Sequence, residues 1–212
     1  MDMIPKRIPI DERLSYWKAS QEPLSADIGV LEGDRYTWIF DVGDGPEAAD
    51  CIRSIRGPKR AVLSHFHQDH TGNWREVELE TLYQGAHTFR YTGAGEIVQG
   101  SLTLEDGTLI RLFEIPSSHA KGCIGMEVNE KYAFLGDATY CTAKHTQGRL
   151  AYNANLLADE IAVLRALRAP YFLLSHNDAF VRPKADVLAE LEEIYAQRDP
   201  QSSYIFLDQS MT

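Results

Sequence analysis

The chain has 212 residues, of which 44% are hydrophobic and 25% are charged, and 21 basic against 31 acidic residues give a net charge of −10. This composition is typical of a globular protein, and the length predicts a single domain over residues 1–212 with a substantial core. The acidic balance disfavours non-specific binding to nucleic acid or to an anionic membrane, although a bound metal would add local positive charge.

The compartment is predicted from the N-terminus and the cysteines. The opening stretch MDMIPKRIPIDERL has no apolar core of a signal peptide, and no segment of the chain is apolar over the length of a membrane span. Cys51, Cys123 and Cys141 have no C-x-x-C pairing and are predicted to be small buried or partly buried thiols. We therefore expect a cytoplasmic protein that acts on a small molecule and binds neither nucleic acid nor membrane.

The first third of the chain is predicted to contain a hairpin, a helix and two strands. Apolar and aromatic runs on either side of Gly33-Asp34 predict a hairpin over 27–42. A helix follows over 46–56, with Pro46 near its first turn and Gly57-Pro58 after its end. Short apolar runs then predict strands over 60–64 and 81–84.

The rest of the chain adds two hairpins and then alternates helix with strand. Asp106-Gly107 is a strong turn signal within the hairpin predicted over 101–115. Apolar residues at helical spacing predict two later helices that each bury one face. The remaining elements are a hairpin over 123–137, a helix over 155–168, a strand over 171–176 and a helix over 183–197. This order predicts a mixed α/β domain whose sheets are covered by helices.

The stretch LSHFHQDHTGN (63–73) places three of the chain's seven histidines and an aspartate within six positions. In an extended segment, side chains two residues apart point the same way, so His65 and His67 would reach one point. Asp69 and His70 follow where the chain is expected to turn. Imidazole and carboxylate together are the ligands of zinc, iron and manganese, so the stretch predicts a metal site.

Three further candidate ligands stand elsewhere in the chain. His119, Asp137 and His176 each follow an apolar run that is predicted to be a strand. Because strand ends on one edge of a sheet converge on one surface, we expect these residues to join the first cluster. Four ligands within six residues do not wrap one ion comfortably, so the pattern predicts two ions side by side.

The ordered set H-x-H-x-D-H, a lone His, an Asp in "GD" and a last His resembles the metallo-β-lactamase-fold hydrolase superfamily. FDVGDG (40–45) resembles the early Asp-x-Gly element of that superfamily. The resemblance covers residues 25–180 or so. It implies a four-layer αββα sandwich of two mixed β-sheets flanked by helices, with a two-metal site at the sheet edge.

The resemblance also implies roles for single residues. Asp41 would orient a histidine ligand through a hydrogen bond. Asp69 would be a catalytic residue that orients a metal-bridging hydroxide for attack on a small ester, lactone or thioester. Zinc is the expected metal, with iron or manganese as alternatives. The implied ligands are His65, His67 and His119 for the first ion, Asp69, His70 and His176 for the second, and Asp137 between the two.

Some features depart from the family pattern and leave alternatives open. Ser117-Ser118-His119-Ala120 stands where the family usually has Pro-Gly-His-Thr, so the loop at the first ion is expected to differ. His67 occupies the position of a glutamate in the oxygen-reducing diiron branch, which disfavours that chemistry. The alternatives are a mononuclear-iron sulfur dioxygenase of the same superfamily and a metal-binding regulatory protein with little catalysis.

Three residues near the predicted site have no fixed role from sequence. Tyr140 follows Asp137 by three positions and either donates a hydrogen bond to a substrate oxyanion or packs against the core. His87 and His145 are expected in solvated loops outside both sets of metal ligands, and each is also a candidate for the substrate pocket.

Overall fold

Two large β-sheets form the centre of the protein. The structure is a computed structural model that describes residues 5–144 and 146–207. Within these residues one sheet has seven strands in the order β1-β2-β5-β6-β7-β8-β9, and the other has six in the order β10-β11-β12-β13-β15-β16. Two small ribbons, β3-β4 and β14-β17, complete the pairing. The strands are β1 (Ile8–Pro9), β2 (Leu14–Trp17), β3 (Ser20–Gln21), β4 (Leu24–Ser25), β5 (Ile28–Glu32), β6 (Thr37–Phe40), β7 (Lys59–Leu63), β8 (Thr81–Gln84), β9 (Glu96–Ile97), β10 (Ser101–Glu105), β11 (Leu109–Ile115), β12 (Cys123–Val128), β13 (Tyr132–Gly136), β14 (Ala151–Asn153), β15 (Tyr171–Leu174), β16 (Val181–Pro183) and β17 (Tyr204–Phe206).

Helices cover the outer faces of both sheets. The first begins after Asp44, whose carboxylate accepts a hydrogen bond from the backbone N–H of Gly45. The fourth begins after Asn153, whose side chain accepts from two backbone N–H groups of the first turn. The helices are α1 (Gly45–Arg53), α2 (Gln68–Thr71), α3 (Ala86–Thr92), α4 (Ala154–Ala166) and α5 (Lys184–Ala196). No helix in the described ranges combines the length and the apolar character needed to cross a membrane.

Three apolar clusters define four layers, which confirms the predicted αββα sandwich. The first packs α1 on the seven-stranded sheet through residues such as Ile52 and Ile39. The second fills the space between the sheets, where the rings of Phe40 and Phe134 stack with centroids 5.0 Å apart. The third packs α4 and α5 on the six-stranded sheet, with Leu164 fully buried. Burial of these faces is the main force that holds the layers together.

The topology brings five strand ends to one edge of the sandwich. Strands β6 and β7 run parallel in one sheet, and β13 and β15 run parallel in the other. Strand β11 has the same direction as β13, because both are antiparallel to β12. The C-terminal ends of these strands therefore deliver their following loops to the same surface, as expected from the sequence.

The predicted hairpins all form, and most element limits lie within two or three residues of the prediction. The pairs β5-β6, β10-β11 and β12-β13 are antiparallel, with short turns between them. Helices α2 and α3, the N-terminal strands and the β14-β17 ribbon were not predicted, because these short segments lack a clear apolar period. Helix α3 contains His87, so the expectation of a loop position for this residue is wrong.

Candidate metal centre

The loop after β7 carries four of the predicted ligands. His65 and His67 were predicted on extended strand, but β7 ends at Leu63 and His67 stands immediately before α2. The carbonyl of His67 accepts from the backbone N–H groups of His70 and Thr71, which closes a helical turn. This turn, rather than strand alternation, folds Asp69 and His70 back toward the preceding histidines.

His65, His67 and His119, here called the triple-histidine group, present one ring nitrogen each to a common point. Their candidate ligand atoms lie within 4.8 Å of one another. His67 Nδ1 is 2.9 Å from His65 Nε2 and 3.1 Å from His119 Nε2. Nitrogens bound to one tetrahedral ion are separated by about 3.4 Å, given metal–nitrogen bonds of about 2.0–2.1 Å. The spacing therefore suits a single ion.

Asp69, His70, Asp137 and His176, here called the mixed group, form a second set of ligand atoms within 4.8 Å of one another. His176 Nε2 lies 2.9 Å from Asp69 Oδ2. His70 Nε2 lies 3.4 Å from Asp69 Oδ2 and 3.2 Å from Asp137 Oδ2. Two imidazoles and two carboxylates make a donor set that suits a divalent cation.

Asp137 of the mixed group also faces the triple-histidine group. Its Oδ2 atom is 3.2 Å from His70 Nε2, 3.5 Å from His119 Nε2 and 3.9 Å from His176 Nε2. The preceding Gly136 has a φ of +57°, and a Cβ there would lie 2.6 Å from the Ser64 hydroxyl. Glycine is therefore required where β13 passes the loop after β7 and releases Asp137 toward both groups.

Asp41 and Ser64 orient two of the imidazoles. Asp41 Oδ2 lies 2.8 Å from His70 Nδ1 and accepts a hydrogen bond from the Ser64 hydroxyl at 2.8 Å, while Oδ1 accepts from the Ser64 backbone N–H at 2.7 Å. The Ser64 hydroxyl oxygen is in turn 3.0 Å from His65 Nδ1 and can accept its proton. Nε2 of His70 and Nε2 of His65 are then free to face the other ligand atoms of their respective groups. Asp41 was predicted from the sequence, whereas Ser64 was not.

The triple-histidine group is built to be neutral. Burial, reinforced by the neighbouring histidines, holds the pKa of His65 well below its usual value. Burial is also the main cause that lowers the pKa of His67 and of His119. A neutral imidazole offers a lone pair, which is the form a metal ion binds.

Carboxylates dominate the electrostatics of the mixed group. Burial alone would lower the pKa of His70, but the Asp41 and Asp137 carboxylates outweigh it and hold this pKa well above the usual value. The pKa of His176 is raised in the same way, since the hydrogen bond to Asp69 overcomes the effect of burial. This excess of negative charge favours a bound cation over an empty pair of imidazoles.

Two buried atoms give a direct test of whether the residues fit a metal. His70 Nε2 and Asp137 Oδ1 are shielded from solvent, and neither has a hydrogen-bond partner among the described residues. A buried polar atom without a partner costs about 1–3 kcal/mol. Both atoms belong to the mixed group, where an ion would satisfy the lone pair of each. The residues present therefore fit a divalent metal.

Hydrogen bonds to loop backbones, which were not predicted from the sequence, also fix the site. Ser117 donates to the Ala138 carbonyl at 2.6 Å and accepts from the His119 backbone N–H at 3.0 Å, which ties the His119 loop to the Asp137 loop. This serine stands at the departure from the Pro-Gly-His-Thr pattern. Asp27 accepts from the His176 backbone N–H at 2.9 Å, and no motif in the sequence marks it.

Of the three residues that had no fixed role from sequence, the structure describes Tyr140 and His87. The Tyr140 hydroxyl donates to the Ser175 carbonyl at 2.6 Å, and burial raises the pKa of Tyr140 to about 12. Its single proton is therefore used within the protein, which favours packing over a bond to substrate. His87 belongs to neither group of ligands and lines a cavity beside His67. His145 lies outside the described residues.

Neither a family model nor a curated protein matches the sequence. Solved structures do match: a stereoselective inverting secondary alkylsulfatase from Pseudomonas sp. is 16% identical with a TM-score of 0.71, over 90% of this chain and 41% of that one. A metallo-β-lactamase from Pontibacter korlensis is 13% identical, with a TM-score of 0.68 over 91% and 99% of the two chains. An archaeal metallo-β-lactamase superfamily protein from Sulfolobus tokodaii is 16% identical, with a TM-score of 0.62 over 93% and 90%.

These likenesses establish the fold: the chain is a metallo-β-lactamase-fold protein. Several of its structural neighbours are metallo-β-lactamases or a member of that superfamily, so the fold implied by the ordered ligand motif is confirmed. The chain spans about two fifths of the length of the alkylsulfatases it matches, at 41% of each.

Proposed function

We propose that this protein is a dinuclear metal-dependent hydrolase of small esters, lactones or thioesters, and that residues 1–212 act as a single domain. The observation that carries the proposal is the position of Asp137, whose Oδ2 lies 3.5 Å from His119 and 3.2 Å from His70. One carboxylate within reach of two sets of donor atoms is an arrangement that suits a pair of adjacent ions. The hydrolytic metalloenzymes among the structural neighbours support the same class of reaction.

The residues divide into two sets in this proposal. The triple-histidine group would hold one ion, and Asp69, His70 and His176 would hold the other, with Asp137 shared. Two divalent ions in these positions, with zinc as the expected metal, would polarise the scissile carbonyl and lower the pKa of water to about 7.

The protein's own groups supply orientation and charge. Asp41 holds the Nδ1 proton of His70, and Ser64 accepts the proton of His65, so each ring keeps one tautomer. Asp69 is half-buried beside His176 and presents a carboxylate at the edge of the mixed group. From there it would orient the attacking water.

Metal-dependent hydrolysis tests the proposal. The protein is stripped with a chelator, reloaded separately with zinc, manganese or ferrous iron, and assayed on a panel of aryl esters, lactones and thioesters. We expect turnover that disappears on stripping and returns with metal, and that is lost in His70→Ala prepared in parallel. A fully loaded protein that hydrolyses nothing on the panel contradicts the proposal, and oxygen uptake with a sulfur substrate would favour the dioxygenase instead.

A further inference from the structure

A cavity of about 320 Å³ opens beside His67 and His119. Its volume falls at the lower end of the range of about 300–1,000 Å³ that small-molecule sites occupy. It reaches the triple-histidine group but contains no residue of the mixed group. A molecule in this cavity would therefore approach the site from the side of His67 and His119.

One wall of the cavity is aromatic and starts directly at the site. The Phe66 ring lies 4.7 Å from the His67 ring and stacks on Tyr91, with centroids 4.7 Å apart and planes 10° apart. His87 packs edge-on against both, at 4.9 Å from Phe66 and 5.7 Å from Tyr91. Tyr91 is 60% exposed, which leaves a flat apolar surface open to a ligand.

The charge of the cavity is opposite to that of the protein. Lys121 and Lys144 line it, and none of its lining residues within the described part of the chain is a carboxylate, although the whole chain carries a net charge of −10. Neither lysine forms an ion pair with any described residue. Unpaired lysines around a recess focus a positive field into it.

Two observations place these cations around the aromatic wall. Lys144 Nζ is 5.7 Å from the centroid of the Phe66 ring, and is therefore within about 10 Å of the His67 ring. Burial lowers the pKa of His87, and the nearby Arg90, Lys121 and Lys144 lower it further. A ligand built on a single aromatic ring with two para substituents fits within this upper limit.

We infer that the cavity selects substrates in which an aromatic ring joins the scissile group to an anionic group. The ring would lie against Phe66 and Tyr91, and the anion would lie between Lys121 and Lys144. This inference rests on the proposed hydrolase function and names its substrate class. The reaction itself is simple hydrolysis: the acyl C–O or C–S bond breaks, a C–O bond to water forms, and the leaving group takes a proton.

A matched pair of esters tests the selection. Phenyl acetate and 4-acetoxybenzoate differ by one carboxylate, and we expect the metal-loaded protein to have the higher kcat/KM for the charged ester. Lys121→Gln and Lys144→Gln should each lower this preference by roughly 3- to 10-fold, mainly through KM, because each removes one partly exposed charge contact. Added salt should lower the preference of the wild type in the same direction.

Control variants separate the contribution of the lysine charges from that of the aromatic wall. Lys18→Gln removes an exposed lysine outside the cavity and should leave the preference as in the wild type. Tyr91→Ala should raise KM for both esters by about threefold or more. Tyr91→Phe keeps the stacking surface, so its KM for both esters should match that of the wild type. A preference that is unchanged in both cavity lysine variants overturns the assignment of the anion site.

Binding without turnover keeps this inference separate from the proposed function. We expect 4-hydroxybenzoate to bind more tightly than phenol in calorimetry, and the difference to shrink in the double variant Lys121→Gln/Lys144→Gln. If both esters are hydrolysed equally and the two ligands bind equally, the inference is overturned and the hydrolase function stands. If neither ester is hydrolysed but 4-hydroxybenzoate still binds in a lysine-dependent manner, the proposed function fails and the binding site stands.

Discussion

The backbone N–H of His176 donates to Asp27 Oδ2 at 2.9 Å, across 149 residues of sequence. Asp27 directly precedes β5 in one sheet, and His176 follows β15 in the other, so the bond joins the two sheets at the edge that carries the site. His176 has a φ of +57°, in the left-handed region that costs a non-glycine residue of order 1 kcal/mol or more. Asp27 therefore holds a strained ligand-bearing loop in place.

Removing this anchor should weaken the fold. In Asp27→Ala the backbone N–H groups of Ala19 and His176 lose their acceptor, as does the Ser175 hydroxyl. We expect the free energy of unfolding of metal-free protein to fall by at least about 1 kcal/mol, measured by chemical denaturation. Asp34→Ala, which removes an exposed partner of Arg13, is the control and should change it by less than about 0.5 kcal/mol. Equal losses in the two variants would contradict the anchoring role.

The two donor sets should lose their ions separately. Asp41→Asn removes the charge that orients His70, so we expect the ion of the mixed group to bind about 10- to 100-fold more weakly. The triple-histidine group reaches the Asp41 carboxylate only through the Ser64 hydroxyl, so its affinity should fall by much less. Calorimetric titration of metal-free protein resolves the two events. If Asp41→Asn weakens the binding of both ions to the same extent, the division of the ligands into two donor sets is wrong.

His119 and His87 make a matched pair of histidine substitutions. His119→Ala removes one of three imidazoles from the triple-histidine group and should lose that ion, together with part of the thermal stabilisation that metal gives. His87→Ala lies outside both donor sets and should retain full metal content. Elemental analysis and melting temperature with and without metal are the measurements. Retention of both ions by His119→Ala, with loss in His87→Ala, would reverse the assignment.

Glu160 should make the protein less stable as the pH rises. It is fully buried in α4, neither carboxylate oxygen has a hydrogen-bond partner among the described residues, and burial holds its pKa well above the usual value. In the unfolded chain it ionises near a pKa of about 4.3. Between that pH and the raised folded pKa, the unfolded state binds fewer protons. The free energy of unfolding then falls as pH rises, by up to about 1.4 kcal/mol per pH unit.

The variant Glu160→Gln isolates this effect. We expect it to be more stable than the wild type at pH 8, with the difference shrinking as the pH falls toward and below about 4.3, where the wild-type carboxyl becomes protonated in the unfolded state as well. Glu193→Gln, on the exposed face of α5, should match the wild type at both pH values to within about 0.5 kcal/mol. If the stability of Glu160→Gln follows that of the wild type at every pH, the buried carboxyl does not ionise on unfolding in this range.

Residue type and spacing predicted the parts of this structure that depend on local pattern. Alternating apolar runs with strong turns such as Asp106-Gly107 predicted the hairpins, and ligand residues after apolar runs indicated the convergence of His119, Asp137 and His176. The helical turn at 68–71 was not predictable from its own sequence, because four polar residues carry no apolar period. Its geometry depends on a bond from Ala26 N–H to the Asp69 carbonyl, which only the folded chain brings together.

The supporting residues escaped prediction for a related reason. Asp27 and Ser64 act through hydrogen bonds to loops that follow other strands, so nothing in the residues around either one indicates its role. The cavity wall was also missed, since Phe66 and Tyr91 are 25 residues apart and meet only through α3. The sequence pattern identified the ligand residues that share an edge of the sheet. The residues that orient those ligands could be recognised only from the tertiary structure.

Metal stoichiometry tests the central claim most directly. Protein purified without chelator, and metal-free protein titrated with zinc, should both saturate at two ions per chain, measured by elemental analysis against protein concentration from amino-acid analysis. Anomalous scattering from crystals should place one ion in the triple-histidine group and one in the mixed group, with Asp137 between them. Saturation at one ion per chain, with iron as the retained metal and no second site filled by excess zinc, would contradict the dinuclear account.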